Sequence, residues 1–204
     1  MMRNAMPRSW TQVGAAAAVA AAALVLSGCA SDVAAPRQYQ LRSEPPQPLV
    51  TVPSTQVVQL MAPLLLPEAL ERDALMLPVG ASGLQPWAGQ RWAEPLRDAL
   101  PRLLRQDLSA LIGAQRVWDA QAPAAAAVTR QLRVEVLQFQ IDAQRSGVRL
   151  QARWSLQDVA DKLAPQVRIS EIRAASAGGD ADALVAAHRL ALWRLAEEVA
   201  AALR

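Results

Sequence analysis

Between residues 130 and 177 the chain alternates apolar and polar positions with a period of two. Val148, Leu150, Ala152, Trp154 and Leu156 alternate with Arg149, Gln151, Arg153, Ser155 and Gln157, which predicts a strand buried on one face. The preceding run places Leu132, Val134 and Val136 on even positions but Leu137, Phe139 and Ile141 on odd ones. A one-residue slip turns every side chain to the other face, so this change of phase predicts a β-bulge. Gln144-Arg145-Ser146-Gly147 supplies a hairpin loop between the two strands. Val167, Ile169 and Ile172 then predict a third strand after the turn at 161–165. Three successive strands joined by short loops read as an antiparallel meander.

A different period governs two other stretches. From Glu94 to Ile112 the residues Leu96, Leu100, Leu103, Leu104, Leu108 and Leu111 recur at steps of three and four, which predicts a helix. Pro95 suits its first turn and Gly113 its C-terminal cap, whereas Pro101 predicts a kink or a late start. Asp180 is a suitable N-cap for a second helix running to about Leu203, with Leu184, His188, Ala191, Leu195 and Val199 on one face. Upstream, Tyr39 and Leu41 alternate with polar neighbours as a short strand. The run 57–66 reads as a buried or edge strand ended by Pro67, 68–73 as one helical turn, and 74–79 as a second short apolar run. The Ala-rich stretch 119–129 reads as a connection. Together these elements predict an α+β fold: an antiparallel sheet with two main helices packed on one face.

The chain has 204 residues, 52% of them hydrophobic and 4% aromatic, with 21 basic residues against 18 acidic ones. Hydrophobicity this high excludes a disordered chain, and a single cysteine excludes a disulfide scaffold. Lys162 is the only lysine, so the basic character is carried almost entirely by arginine.

The N-terminus supplies a compartment. Arg3 and Arg8 precede an apolar run from Val13 to Leu26, followed by Leu26-Ser27-Gly28-Cys29. A positive segment, a short apolar core and small residues before a cut describe a secretory signal peptide, and about 14 apolar residues are too few to span a bilayer. The tetrapeptide resembles a bacterial lipobox, in which the cysteine is diacylated before cleavage; Cys29 is also the only cysteine. The domain boundaries follow: 1–28 signal peptide, 29–36 lipidated tether, 37–204 folded domain. Two or more acyl chains hold a protein on a bilayer where one would not. Ala30, where an aspartate would favour inner-membrane retention, implies by the same resemblance the inner leaflet of the outer membrane, facing the periplasm. Loss of Arg3 and Arg8 with the signal peptide lowers the net charge from +3 to +1.

Several segments together resemble the paraquat-inducible protein C family, also described as ABC-type transport auxiliary lipoproteins. They are the lipobox followed closely by Tyr39-Gln40-Leu41, the strand ending in Leu66-Pro67-Glu68-Ala69-Leu70-Glu71-Arg72, and Arg91-Trp92-Ala93-Glu94-Pro95-Leu96 leading into the Leu-rich helix. The bulged strand 134–139 and the Trp154 strand match in place. Pro101 and the Ala-rich stretch 122–128 depart from the family pattern. The resemblance implies a non-catalytic lipoprotein that accompanies an MCE-domain protein and an integral inner-membrane component in a system moving lipid and maintaining membrane integrity. It implies no cofactor beyond the covalent diacylglycerol and N-acyl chain on Cys29. The alternatives are a free-standing structural or assembly lipoprotein of the outer membrane and, from a third class, an envelope hydrolase using His188.

Few residues suggest chemistry. No phosphate-cradling glycine loop with a following lysine is present. Arg91 and Trp92 are candidates for partner binding, set against packing of Trp92 under the helix start. Leu64, Leu65 and Leu66 are candidates for a lipid groove, set against a core role. His188 has no evident nucleophile or further metal ligands in the sequence pattern and reads as a core or rim histidine. The arginines of 149–153 read as the solvated side of a sheet, and an unpaired sheet edge would allow copies of the chain to associate.

Overall fold

The computed structural model describes residues 35–160 and 162–204, so the signal peptide, the lipobox and Cys29 lie outside the described residues. In chain order the elements are β1 (Arg37–Tyr39), β2 (Val58–Leu60), β3 (Ala74–Val79), β4 (Gly83–Trp92), α1 (Leu96–Ile112), β5 (Val117–Trp118), β6 (Arg130–Ile141), β7 (Gly147–Asp158), β8 (Gln166–Ala175) and α2 (Ala181–Ala201). Short 3-10 turns occupy 68–70, 114–116 and 124–126.

The strands form two sheets, one in the order β1-β4-β3 and the other β5-β2-β6-β7-β8. The fold is α+β with two main helices, but both sheets are mixed. β1 runs parallel to β4, and β2 runs parallel to both β5 and β6. The antiparallel expectation holds where tight hairpins join neighbours, in β3–β4 and in the β6–β7–β8 meander. Strands separated by long connections are free of the hairpin constraint and can join in parallel. The phase change in β6 is a bulge at the expected place: Val136 pairs with Ala152 and Gln138 with Gln151, leaving Leu137 unpaired. Phe139 and Ile141 are thereby returned to the buried face.

Three segments differ from the pattern-based reading. The run 57–66 is not one strand. Only 58–60 joins the sheet, Pro63 interrupts, and the chain touches β6 again at a single bridge between Leu65 and Glu135. β4 was not anticipated, because Pro86 and Gly89 break its alternation and most of its side chains are exposed. It closes a hairpin with β3 through Gly80, whose φ of 61° suits a residue without a Cβ. α1 begins at Leu96, before Pro101 rather than at it: the amides of Asp98 and Ala99 both donate to the Pro95 carbonyl at 3.0 and 3.1 Å. A proline this near the N-terminus removes only one ladder bond.

Asp180 caps α2 by accepting from the Ala183 amide at 3.0 Å. α2 packs on α1, β7 and β8, and α1 packs on β5, so the helices cover one face of the five-stranded sheet. Between them lie Val148, Leu150, Ala152, Trp154 and Leu156 of β7 and Leu103, Leu104, Leu184, Leu195 and Val199, all buried. Among the described residues no helix covers the opposite face of the meander.

Candidate interaction surface

The helix-covered face holds the buried polar residues Asp107, Ser170, His188 and Arg189, each with a structural partner, whereas the enclosed Trp193 Nε1 has none among the described residues. Arg189 on α2 forms a fork with Asp107 on α1, with Nη1–Oδ2 at 2.8 Å and Nη2–Oδ1 at 2.5 Å, and its Nε donates to the Arg42 carbonyl at 2.6 Å. Both side chains are almost fully enclosed. One guanidinium thus ties the two helices to the N-terminal segment. Burial raises the Asp107 carboxyl to about 6, against the pull of Arg189, which acts to lower it. His188 is packed edge-on against Phe139 and Trp92, with ring centroids 4.7 and 5.5 Å apart. Its Nδ1 lies 2.8 Å from the Leu184 carbonyl, which takes its proton in the neutral ring, and burial lowers its pKa to about 4. Trp154 Nε1 donates to Ser170 Oγ at 2.9 Å, and that hydroxyl donates in turn to Glu198. Among the described residues no group of three or more His, Cys, Asp and Glu is placed to hold a metal ion.

The outer face of the meander has a different character. Arg133 on β6, Arg149 and Arg153 on β7, and Arg173 on β8 are exposed there. Arg153 pairs with Glu135 at 3.1 Å, and Glu171 accepts from Gln151 at 3.2 Å, so both acidic residues of this face are engaged. Arg133, Arg149 and Arg173 have no acidic partner among the described residues. At one end of this face a groove of about 490 Å³ crosses β6 and β7, walled by Met61, Pro63 and Leu65 on one side and Val167 on the other. Val167 and Ile169 are 63% and 56% exposed on β8, the strand at the edge of the sheet.

The candidate site residues separate in space. Leu64 is 5% exposed and belongs to the core, Leu65 is 62% exposed on the groove wall, and Leu66 is half-buried, so an alternating backbone splits the triplet. Trp92 lies in the core beneath α1, while Arg91, its neighbour on β4, is exposed and paired with Asp73. The fold does not bring Arg91 together with the leucine groove. Asp107 and Arg189 escaped the pattern reading, although both occupy apolar-stripe positions on their helices.

Comparisons with known proteins agree with this architecture. A family model described as ABC-type transport auxiliary lipoprotein component matches residues 39–200. A solved structure described as an uncharacterized protein superposes with a TM-score of 0.65 at 17% identity, covering 84% of this chain and 100% of its own. The crystal structure of protein XCC0632 from Xanthomonas campestris, assigned to the DUF330 family, gives a TM-score of 0.63 at 20% identity, covering 82% of this chain and 94% of its own. At these identities the two structures speak for the fold alone. No curated protein matches the chain. The family match spans both sheets and both helices, and the chain belongs to the family of ABC-type transport auxiliary lipoprotein components.

Proposed function

We propose that the protein is a non-catalytic, periplasm-facing lipoprotein subunit of an MCE-type system for lipid transport and membrane integrity, anchored through Cys29 to the outer membrane and coupling its partner to that membrane. The observation that carries this reading is the family match over 39–200 in a chain whose lipobox, Leu26-Ser27-Gly28-Cys29, stands just upstream. Residues 30–36, seven in all, follow Cys29 with a reach of roughly 25 Å at full extension, so the folded domain stays close to the membrane that holds it. The buried polar groups support a non-catalytic role. His188 is engaged by a backbone carbonyl rather than a carboxylate, and its depressed pKa leaves it neutral in the physiological range.

Two measurements test the reading. Labelling with a palmitate analogue should mark the full-length protein, and Cys29→Ser should abolish the label and release the protein from the membrane. The tagged wild-type lipoprotein, solubilised from its own envelope, should bring down an MCE-domain protein. An eluate holding no MCE-domain protein, or only a β-barrel assembly partner, would overturn the assignment.

A further inference from the structure

Two like charges face each other on the open side of the meander. Arg149 of β7 and Arg173 of β8 are direct partners in the antiparallel register, and both side chains are exposed. Like charges directly opposite each other destabilise a ladder, and an anion between them removes the cost. No acid of the chain supplies it: neither arginine forms an ion pair among the described residues. The acids flanking the pair are committed elsewhere. Glu171 accepts from Gln151, and Asp142 accepts from the amide and the hydroxyl of Ser146 at 2.8 and 2.7 Å. Asp180 and Asp182 open α2 on the covered face. With Asp142, Gln144 and Ser146 the two arginines line a hollow of about 390 Å³.

The path of the chain decides which anion this end of the fold meets. β1 runs parallel to β4 with Arg37 opposite Gln90, so the chain preceding Arg37 leaves on the Trp87 side of Gln90. Trp87 stands three residues from Gln90, about 10 Å along a strand, and the Arg145 guanidinium lies 4.8 Å from its ring centre. Arg145 belongs to the loop joining β6 to β7, just before Arg149. The tether and the arginine pair therefore share one end of the fold. Residues 30–36 reach roughly 25 Å at full extension, which holds the bilayer carrying Cys29 within that distance of the same end. A bilayer with anionic phospholipid presents a layer of phosphodiesters, each with one negative charge and two free oxygens. Guanidinium groups bind phosphate oxygens through paired N–H donors, and two arginines side by side match the two oxygens.

We propose that Arg149 and Arg173 form a headgroup site that holds the phosphate of an anionic phospholipid in the bilayer bearing the anchor, which brings the β6–β7 end of the open face onto the membrane. The acyl chains supply attachment, and the arginine pair supplies orientation: an anchor on a flexible tether leaves the domain free to turn, whereas a second contact on the same end fixes which way it faces. The inference rests on the reading that Cys29 is acylated.

The test uses the full-length lipoprotein with a fluorophore on Ala143→Cys, an exposed position in the β6–β7 loop; acylation blocks Cys29, the only native cysteine. The protein is placed in nanodiscs of phosphatidylcholine and a nitroxide-headgroup lipid, with or without about a third phosphatidylglycerol. Phosphatidylglycerol should deepen the quenching at position 143. R149Q/R173Q, checked for an unchanged unfolding midpoint, should move the balance between docked and free orientations about tenfold or more toward free. R133Q/R168Q removes the same charge nearer the far end of the meander and should leave the quenching in place. Quenching that ignores phosphatidylglycerol or survives R149Q/R173Q would overturn the proposal and leave the pair to a soluble anion, and an equal loss in R133Q/R168Q would overturn it in favour of net charge. A wild-type chain that takes the dye at Cys29, or that stays out of the nanodisc, would overturn the anchor instead. An anchored chain with no response to phosphatidylglycerol removes the headgroup site and leaves the anchor standing.

Discussion

The two faces of the β6–β7–β8 meander carry arginines of opposite kind. On the covered face Arg189 spends every donor it can direct inward, on both oxygens of Asp107 and on the Arg42 carbonyl. On the open face Arg133, Arg149 and Arg173 reach solvent without an ion-pair partner among the described residues. An enclosed guanidinium left unpaired would cost several kcal/mol, so its partners are a condition of the fold. A solvated one costs nothing to leave unpaired, and its position is available for recognition. The same side chain therefore serves stability on one face and contact on the other, and a net charge of +3 for the whole chain conceals both.

That contrast can be broken most severely at the enclosed pair. Asp107→Asn leaves Arg189 buried without its counter-charge and should cost about 3–5 kcal/mol in urea unfolding at neutral pH. The double replacement Asp107→Leu with Arg189→Met should recover most of the loss, because a buried pair is worth little more than apolar packing of similar volume. A double mutant as unstable as Asp107→Asn would show that the fork contributes more than satisfied burial.

Acid sharpens the covered face next. His188 stays neutral in the fold down to about pH 4, whereas in the unfolded chain it takes up its proton near the ordinary value of 6.5. Its contribution is present above 6.5 and is lost as pH falls toward 4, by roughly 3 kcal/mol. The wild type should lose stability between pH 6.5 and 4, and His188→Leu should flatten that loss. A His188→Leu protein with the wild-type acid profile would place the titration elsewhere.

The smallest effect belongs to the open face. Arg149→Gln and Arg173→Gln should each change unfolding free energy by less than about 0.5 kcal/mol, as exposed positions without packing do. Loss of a kcal/mol or more at either would mean that the face is structural.

How far these faces were legible in the sequence depends on the period. The bulge in β6 was readable from Val136 followed by Leu137, Phe139 and Ile141, because a phase change has one geometric solution in a strand with a buried face. The N-cap Asp180 and the buried stripe of α2 were readable for similar local reasons. β4 was hidden by Pro86 and Gly89, and the parallel entry of β1 and β2 depends on long-range pairing that no local pattern encodes. The enclosed pair did leave a trace: Asp107 sits at the step between Leu104 and Leu111, and Arg189 between Val185 and Leu192, each a charge inside an apolar stripe. The open edge left one too. Val167 and Ile169 are out of phase with Ile172, so one strand had to show apolar side chains on both faces. Leu64-Leu65-Leu66 was read as one unit, and alternation divided it.

The most direct test of the account purifies the full-length lipoprotein from its own envelope and quantifies the MCE-domain protein in the eluate. The account predicts that this protein accompanies the wild type. An MCE-domain protein missing from the wild-type eluate would contradict it.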